Sequence, residues 1–263
     1  HEYLLDALAR GSPAVLVERR RWRCLSPVLG PEARKRGAAV ILVASPLRAL
    51  QALARFHLRR LESVLRVGVT GSNGKTTTKT LLAAILAREA PTAAASGNLN
   101  SEIGLPLASF RVSSCHRFAV FEMGINHPGE MDLLSQIARP ERVLITNIGT
   151  AHIGPLGSRE GIAREKKRAF RGFNGRQKAF LFEGEPYYGY LSRGVRGQVI
   201  PFGPKSTQGF EGSEDLGLDG TLIHWEGLRI RFPLFGHHNL LNALGARVRV
   251  VAGNAFDVTG PVS

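Results

Sequence analysis

The stretch VGVTGSNGKTTTKT, Val67 to Thr80, constrains this chain more than any other segment. A short apolar run ends at Thr70, a glycine-rich turn follows, and Lys75 and Thr76 open a segment of helical character. Strand, glycine turn, Lys-Thr and helix, in that order, describe a phosphate-binding loop. In the common pattern, G-x-x-x-x-G-K-[ST], a glycine stands six residues before the lysine. Here that place is Val69, flanked by Gly68 and Gly71, so the loop is either a variant or a chance turn. Gly71 and Gly74 permit backbone conformations that other residues resist. The N–H groups of Gly71, Ser72, Asn73, Gly74, Lys75, Thr76 and Thr77 can then curl around phosphate oxygens at the positive end of a helix. Lys75 offers a point charge to the phosphates and Thr76 a hydroxyl to Mg²⁺.

Strands and helices alternate after this loop. FAVFEMG, RVLITNIG, KAFLFE and QVIPFG read as strands, and PGEMDLLSQIA and SREGIAREKKRAF as helices. A helix from about Lys75 to Glu89 follows the glycine loop. Such alternation predicts an α/β fold with a mostly parallel sheet flanked by helices, and ligands at the C-terminal strand ends. Those ends carry Thr70 to Thr76, Glu122 to Asn126 and Asn147 to His152. Residues 209–235 hold Asp-Gly and Glu-Gly turns between apolar alternations and predict a small antiparallel segment. A last helix begins near His238. Before the loop, residues 1–45 read as part of another α/β unit, with a helix at EYLLDALARG and strands at AVLVE and AAVILVAS. Residues 46–65 form an amphipathic linking helix opened by Pro46. The expected division is therefore 1–45, the linker 46–65, and a central nucleotide-binding domain over 66–263.

Composition narrows the function. The net charge is +14, which suits polyphosphate substrates. The positive charges are scattered, no aromatic-interleaved basic stripe occurs, and nucleic acid is not an expected partner. The longest apolar run, Gly37 to Ala44, is too short to cross a bilayer, so no membrane insertion is expected. No secretory signal opens the chain. Cys24 and Cys115 stand far apart and form no C-x-x-C pair, which fits a reducing compartment and a cytoplasmic location. The chain starts with His rather than Met, and a longer parent is expected.

Four further positions have two readings each. Glu122 ends an apolar strand, where a carboxylate can hold Mg²⁺ beside nucleotide phosphates or simply face water. His152 is either a ligand at a strand end or a structural histidine. Lys166 lies in a run of basic residues, and its own surroundings in sequence predict a solvated helix face. Asn239 and Asn242 stand three apart at a helix start. They either recognise adenine through their amides or serve as an N-cap and a surface residue.

Five segments together, TGSNGKTTTK, GNLNSEIGLPL, VFEMGINHPGEM, ITNIGTAHIGPLGSREGIAREK and GHHNLLNALGA, closely resemble the Mur ligases. These are ATP-dependent amide-forming enzymes of bacterial cell-wall synthesis. Their loop has the form T-G-x-N-G-K-T and also lacks the early glycine. GNLNSEIGLPL and FEMG are most similar to the branch that joins D-Ala-D-Ala to UDP-N-acetylmuramoyl-tripeptide.

The resemblance implies that Lys75 and the loop amides hold ATP phosphates. Thr76 and Glu122 would hold one Mg²⁺, with His152 serving a second. Lys166 matches the family lysine whose carbamate bridges to that second metal. Asn239 and Asn242 would contact adenosine, and Asn98 and Asn100 would lie near the acceptor end of the UDP-linked peptide. The family has three domains, so the chain is expected to lack the first part of the UDP-binding domain and the whole C-terminal domain. It is then expected to be inactive by itself. Two alternatives remain open at this stage. One is another ligase of the group, diaminopimelate- or lysine-adding or like folylpolyglutamate synthase. The other is a non-catalytic nucleotide-binding module.

Overall fold

A computed structural model describes residues 3–95 and 97–247. The elements run, in chain order, α1 Leu4–Ala9, β1 Ala14–Glu18, α2 Trp22–Lys35, β2 Ala39–Val43, α3 Pro46–Arg59, β3 Leu65–Thr70 and α4 Lys75–Ala87. Then come β4 Thr92–Ala94, α5 Gly104–Ser109, β5 Phe118–Glu122, α6 Glu130–Ala138, β6 Arg142–Ile145, α7 Ile153–Leu156 and α8 Arg159–Lys167. The series closes with β7 Lys178–Phe182, α9 Tyr188–Ser192, β8 Gln198–Phe202, β9 Phe210–Asp215, β10 Thr221–Trp225, β11 Leu228–Phe232 and α10 His237–Arg247.

Six strands form the central sheet in the order β4-β5-β3-β6-β7-β8, and every neighbouring pair is parallel. Parallel strands need crossover connections, which put helices on both faces and bury both sides of each strand. The side chains divide accordingly. Val67, Val69, Val120, Leu144 and Phe180 pack on one face with Leu82 and Leu86 of α4. Ala119, Phe121, Val143, Ile145 and Leu181 pack on the other with Leu58 of α3, Leu134 of α6 and Ile162 of α8. The expected α/β class and parallel sheet are both present. With both faces covered, the strands read in sequence as continuous apolar runs rather than alternations.

The antiparallel sheet β11-β10-β9 also forms where the turns predicted it. Its β10–β11 hairpin turns on Glu226 and Gly227, both at positive φ (49° and 74°), the two-residue geometry whose twist matches the strands. Ile223 and Trp225 of this sheet pack on Leu240 and Leu244 of α10.

Three expectations change. The helix after the loop stops at Ala87 rather than Glu89. The helix expected over 46–65 ends at Arg59, because Leu65 is already the first residue of β3. The N-terminal unit pairs β1 with β2 in parallel, and between them runs α2, which the sequence reading left out. Pro27 and Pro31 hide it, since each removes an N–H from the helix ladder. The hydroxyl of Ser26 donates to the Arg23 carbonyl (3.4 Å), the acceptor that Pro27 cannot serve.

Candidate functional site

Strands β5, β3 and β6 lie side by side, and their C-terminal ends bring three chain segments together: the loop after Thr70, Glu122, and the residues after Ile145. The loop is clamped from the β6 side. Ser72 N–H donates to the Asn147 carbonyl and Asn73 N–H to Asn147 Oδ1, each at 3.0 Å. Thr146 Oγ1 donates to the Asn73 carbonyl (2.6 Å), and Gly149 N–H to Ser72 Oγ (2.8 Å). Two glycines make the clamp possible. At Gly71, φ 150°, a Cβ would lie 1.8 Å from Thr146 Oγ1. At Gly74, φ 77°, a Cβ would lie 2.2 Å from Asn242 Oδ1. Gly74 also precedes α4, so the N-terminus of a 13-residue helix faces the loop.

Lys75 Nζ donates to the carbonyls of Gly71 and Ser72, both at 3.0 Å. Burial pulls its pKa down, opposed by the charge of Glu122. Glu122 is 2% exposed and has three partners. Thr76 Oγ1 donates to its Oε2 (2.9 Å), Asn100 Nδ2 to its Oε1 (2.8 Å), and Lys79 Nζ lies 3.5 Å from Oε2. Lys79 is itself buried and donates to the Gly97 carbonyl (3.2 Å).

Lys166 overturns the solvated-face expectation. It is 1% exposed, and its Nζ donates to the Gly71 carbonyl at 2.9 Å. That oxygen also accepts from Lys75, so the two ammonium groups crowd one atom. Burial, and then the charge of Lys75, lower the Lys166 pKa to about 7 against the pull of Glu165. His152 is exposed, in the left-handed region at φ 65° just before α7. Its pKa is lowered by desolvation and then by Lys166 and Lys75, with Glu130 opposing. Each of these larger causes favours the neutral imidazole, the form that binds a metal.

Asn239 and Asn242 do not take the cap and surface positions. Asn239 lies inside α10 and its amide donates back to the Phe235 carbonyl (2.9 Å). Asn242 is buried and accepts from Thr78 Oγ1 (3.2 Å). It lines a cavity of about 470 Å³ beside the loop, with Asn73, Gly74, Leu144, Phe182 and Phe202 among the other walls. Thr77 stands half-buried on α4. Asn98 is exposed, and its carbonyl accepts from Asn100 N–H at 2.8 Å.

Comparison with known proteins places this geometry. Residues 69–250 match the Mur ligase middle domain. The chain belongs to the Mur ligase family. It is 39% identical over 248 residues to the UDP-N-acetylmuramoyl-tripeptide–D-alanyl-D-alanine ligase of Treponema pallidum, covering 93% of this chain and 52% of that protein. It is similar to MurF from Acinetobacter baumannii (TM-score 0.77, 29% identity, 89% of this chain and 55% of that one). It is also similar to the MurF ligase of Thermotoga maritima in complex with ADP (TM-score 0.74, 25% identity, 89% and 58%). The chain spans about half the length of the curated relatives it matches.

In this Mur ligase chain the structure brings Lys75, Thr76, Glu122, Asn100 and Lys166 to one strand-end cluster, with His152 in Coulombic range of both lysines. Asn239 lies outside it and accepts from Asn242 Nδ2 (3.4 Å), and Asn242 is the residue that packs on the loop at Gly74. Lys79 and the clamp residue Thr146 were missed. Lys79 had a signal: it lies four residues after Lys75, on the same helix face. Among the described residues no group of three or more His, Cys, Asp or Glu could hold a metal ion. No helix among them is long and apolar enough to cross a membrane.

Proposed function

We propose that this chain carries the ATP-handling residues of a cytoplasmic ligase that joins D-Ala-D-Ala to UDP-N-acetylmuramoyl-tripeptide. The observation that carries the reading is the Thr76 hydroxyl bonded to the Glu122 carboxylate beside Lys75, in a loop whose sequence is T-G-S-N-G-K-T. The similarity to a MurF ligase in complex with ADP supports nucleotide binding here. The likeness to D-alanyl-D-alanine ligases supports the choice of substrates.

Lys75 would leave the Gly71 and Ser72 carbonyls and set its charge against the β/γ-phosphates. The loop N–H groups would hold the same oxygens. The cavity beside Gly74 would take adenosine, with Phe182 and Phe202 offering apolar surface and Asn242 an amide, held in place by Asn239. Thr76 and Glu122 fit Mg²⁺: hard oxygen donors, one a carboxylate, suit an ion that takes its remaining ligands from phosphates and water. His152 and Lys166, the latter as a carbamate, would serve a second ion. Bound there, Mg²⁺ supplies positive charge against the transferring phosphoryl group.

The tripeptide carboxylate then attacks the γ-phosphorus, ADP leaves, and an acyl phosphate forms. The D-Ala-D-Ala amine attacks the acyl carbon, loses a proton, and expels phosphate. Asn100, bonded to Glu122, and Asn98 next to it would lie at the acceptor carboxylate. Near-attack geometry governs both steps, and an error of about 1 Å costs about 100-fold in rate.

The test has two stages. On this chain, calorimetry with Mg-ADP should give binding that Lys75→Ala weakens by about tenfold or more, the value of one charged hydrogen bond. Equal affinity for both proteins would refute the loop assignment. On the full-length parent, ADP release should require both the UDP-linked tripeptide and D-Ala-D-Ala. Release driven instead by diaminopimelate, lysine or glutamate would reassign the ligase.

A further inference from the structure

The opposite end of the central sheet carries a second polar cavity, of about 350 Å³. Its walls include Arg66 near the start of β3, Glu141 just before β6 and Gln177 just before β7. Arg66 precedes Gly71 by five residues of extended chain, so roughly 16 Å of strand separates this cavity from the phosphate loop.

Five arginines line it, against two carboxylates. Arg66 is spent on Glu141 and on the Leu58 carbonyl, and Arg171 on Asp132 Oδ2 (2.6 Å). The other three have no carboxylate partner among the described residues. Arg59 and Arg139 are exposed, and their side chains make no hydrogen bond or ion pair among the described residues. Arg55 reaches Gln136 through Nη2 (3.0 Å), while its Nε is buried without a partner.

Two more buried polar atoms lack partners here. Ser135 is 9% exposed, and its Oγ has none. Asp132 uses Oδ2 for Arg168 and Arg171, and its Oδ1 is buried with none. Buried polar groups are nearly always hydrogen-bonded, because one left unmet has lost its water without gaining a partner. Arg55, Asp132 and Ser135 all line this cavity, so small side-chain rotations toward a ligand seated in it would meet three demands: a guanidinium donor, a hydroxyl, and a carboxylate acceptor.

A tetrahedral oxyanion meets the guanidinium and hydroxyl donors. The Asp132 acceptor adds a condition. The anion must also carry an O–H, or the carboxylate would repel it. Inorganic phosphate keeps an O–H at neutral pH; sulfate does not. We infer that this arginine-lined cavity at the N-terminal strand ends is a second anion site, selective for hydrogen phosphate. It is separate from the phosphate loop and independent of the ligase reading.

The experiment is a calorimetric titration of the 263-residue chain with inorganic phosphate at constant ionic strength. It is done in the Lys75→Ala background so that the phosphate loop does not contribute. Phosphate should still bind. Adding Arg59→Ala and Arg139→Gln should weaken it by about tenfold or more. Both side chains are exposed and unpaired, so an unchanged thermal midpoint should accompany the loss. Sulfate should bind more weakly than phosphate. No phosphate binding in the Lys75→Ala chain, undiminished binding in the triple variant, or sulfate equal to phosphate would each overturn the inference.

Discussion

Lys166 Nζ and the Gly71 carbonyl oxygen stand 2.9 Å apart, although the two residues are 95 positions apart in the chain. The bond ties the last turn of α8 to the first residue of the phosphate loop. It holds a cation in a site from which water is excluded, beside a second cation, Lys75. The neutral amine is therefore favoured, and the Lys166 pKa falls to about 7.

Stability should follow that shift. An unfolded lysine titrates near pH 10.4. Between about pH 7 and that value the unfolded chain keeps its proton on Lys166 while the folded chain has released it. More protons bound when unfolded means stability rises with pH. Below about pH 7 both states are protonated and the penalty for the buried charge is fully present. In bicarbonate-free buffer, the stability of the native chain relative to Lys166→Met should rise through this window by up to about 1.4 kcal/mol per pH unit. Denaturant unfolding at pH 6, 8 and 9.5 measures it. A flat or falling difference would mean that Lys166 is charged in the folded protein.

The same free amine should react with CO₂. Nζ bonds to the carbon, a proton goes to solvent, and the carbamate nitrogen keeps one N–H for the Gly71 carbonyl. With ¹³C-bicarbonate, one carbamate carbon resonance is expected in the native chain and none in Lys166→Met. Its intensity should grow from pH 6 to pH 8 as the amine deprotonates. A spectrum without that resonance at pH 8 would remove the carbamate from the site.

Glu122 and Lys79 are expected to be coupled in stability as well as in position. They are 2% and 3% exposed, with Nζ and Oε2 at 3.5 Å. Removing one partner strands the other charge in the interior, which typically costs about 3–5 kcal/mol. Glu122→Ala should therefore destabilise strongly. Replacing both, as Glu122→Gln with Lys79→Met, should cost clearly less than Glu122→Ala. Additive losses in urea unfolding would show that water reaches the pair.

Much of this architecture was legible because the signals were local. Glycines at fixed offsets, apolar runs of strand length and an Asp-Gly or Glu-Gly turn act within a few residues of themselves. The central sheet, the loop and the β10–β11 hairpin followed from them. What stayed hidden depended on partners distant in sequence. Nothing in REKKRAFR tells which of its cations faces inward; Lys166 is chosen by the Gly71 carbonyl. The burial of Asn242 depends on Thr78, 164 positions away. In α2 the local signal itself misled, because two prolines sit inside a continuous helix. Only the resemblance to a family marked Lys166 as a site residue, where its own neighbours pointed to a solvated face.

Gly74 and Asn242 should show opposite signs alone and together. Gly74 sits at φ 77°, and a Cβ there would meet Asn242 Oδ1 at 2.2 Å and Cγ at 2.9 Å. Gly74→Ala therefore carries two penalties, the left-handed backbone, about 1–2 kcal/mol, and the clash. Asn242→Ala alone removes the acceptor of the buried Thr78 hydroxyl, at about 1 kcal/mol or somewhat more. In the double variant the clash is gone while the backbone strain and the lost bond remain. Asn242→Ala should thus destabilise the native chain but rescue part of the loss in Gly74→Ala, a coupling of about 1 kcal/mol or more. Thermal unfolding of the four proteins measures it directly. Simple additivity would mean that the loop moves to accept the methyl group, and that the clamp between the phosphate loop and α10 is looser than these contacts describe.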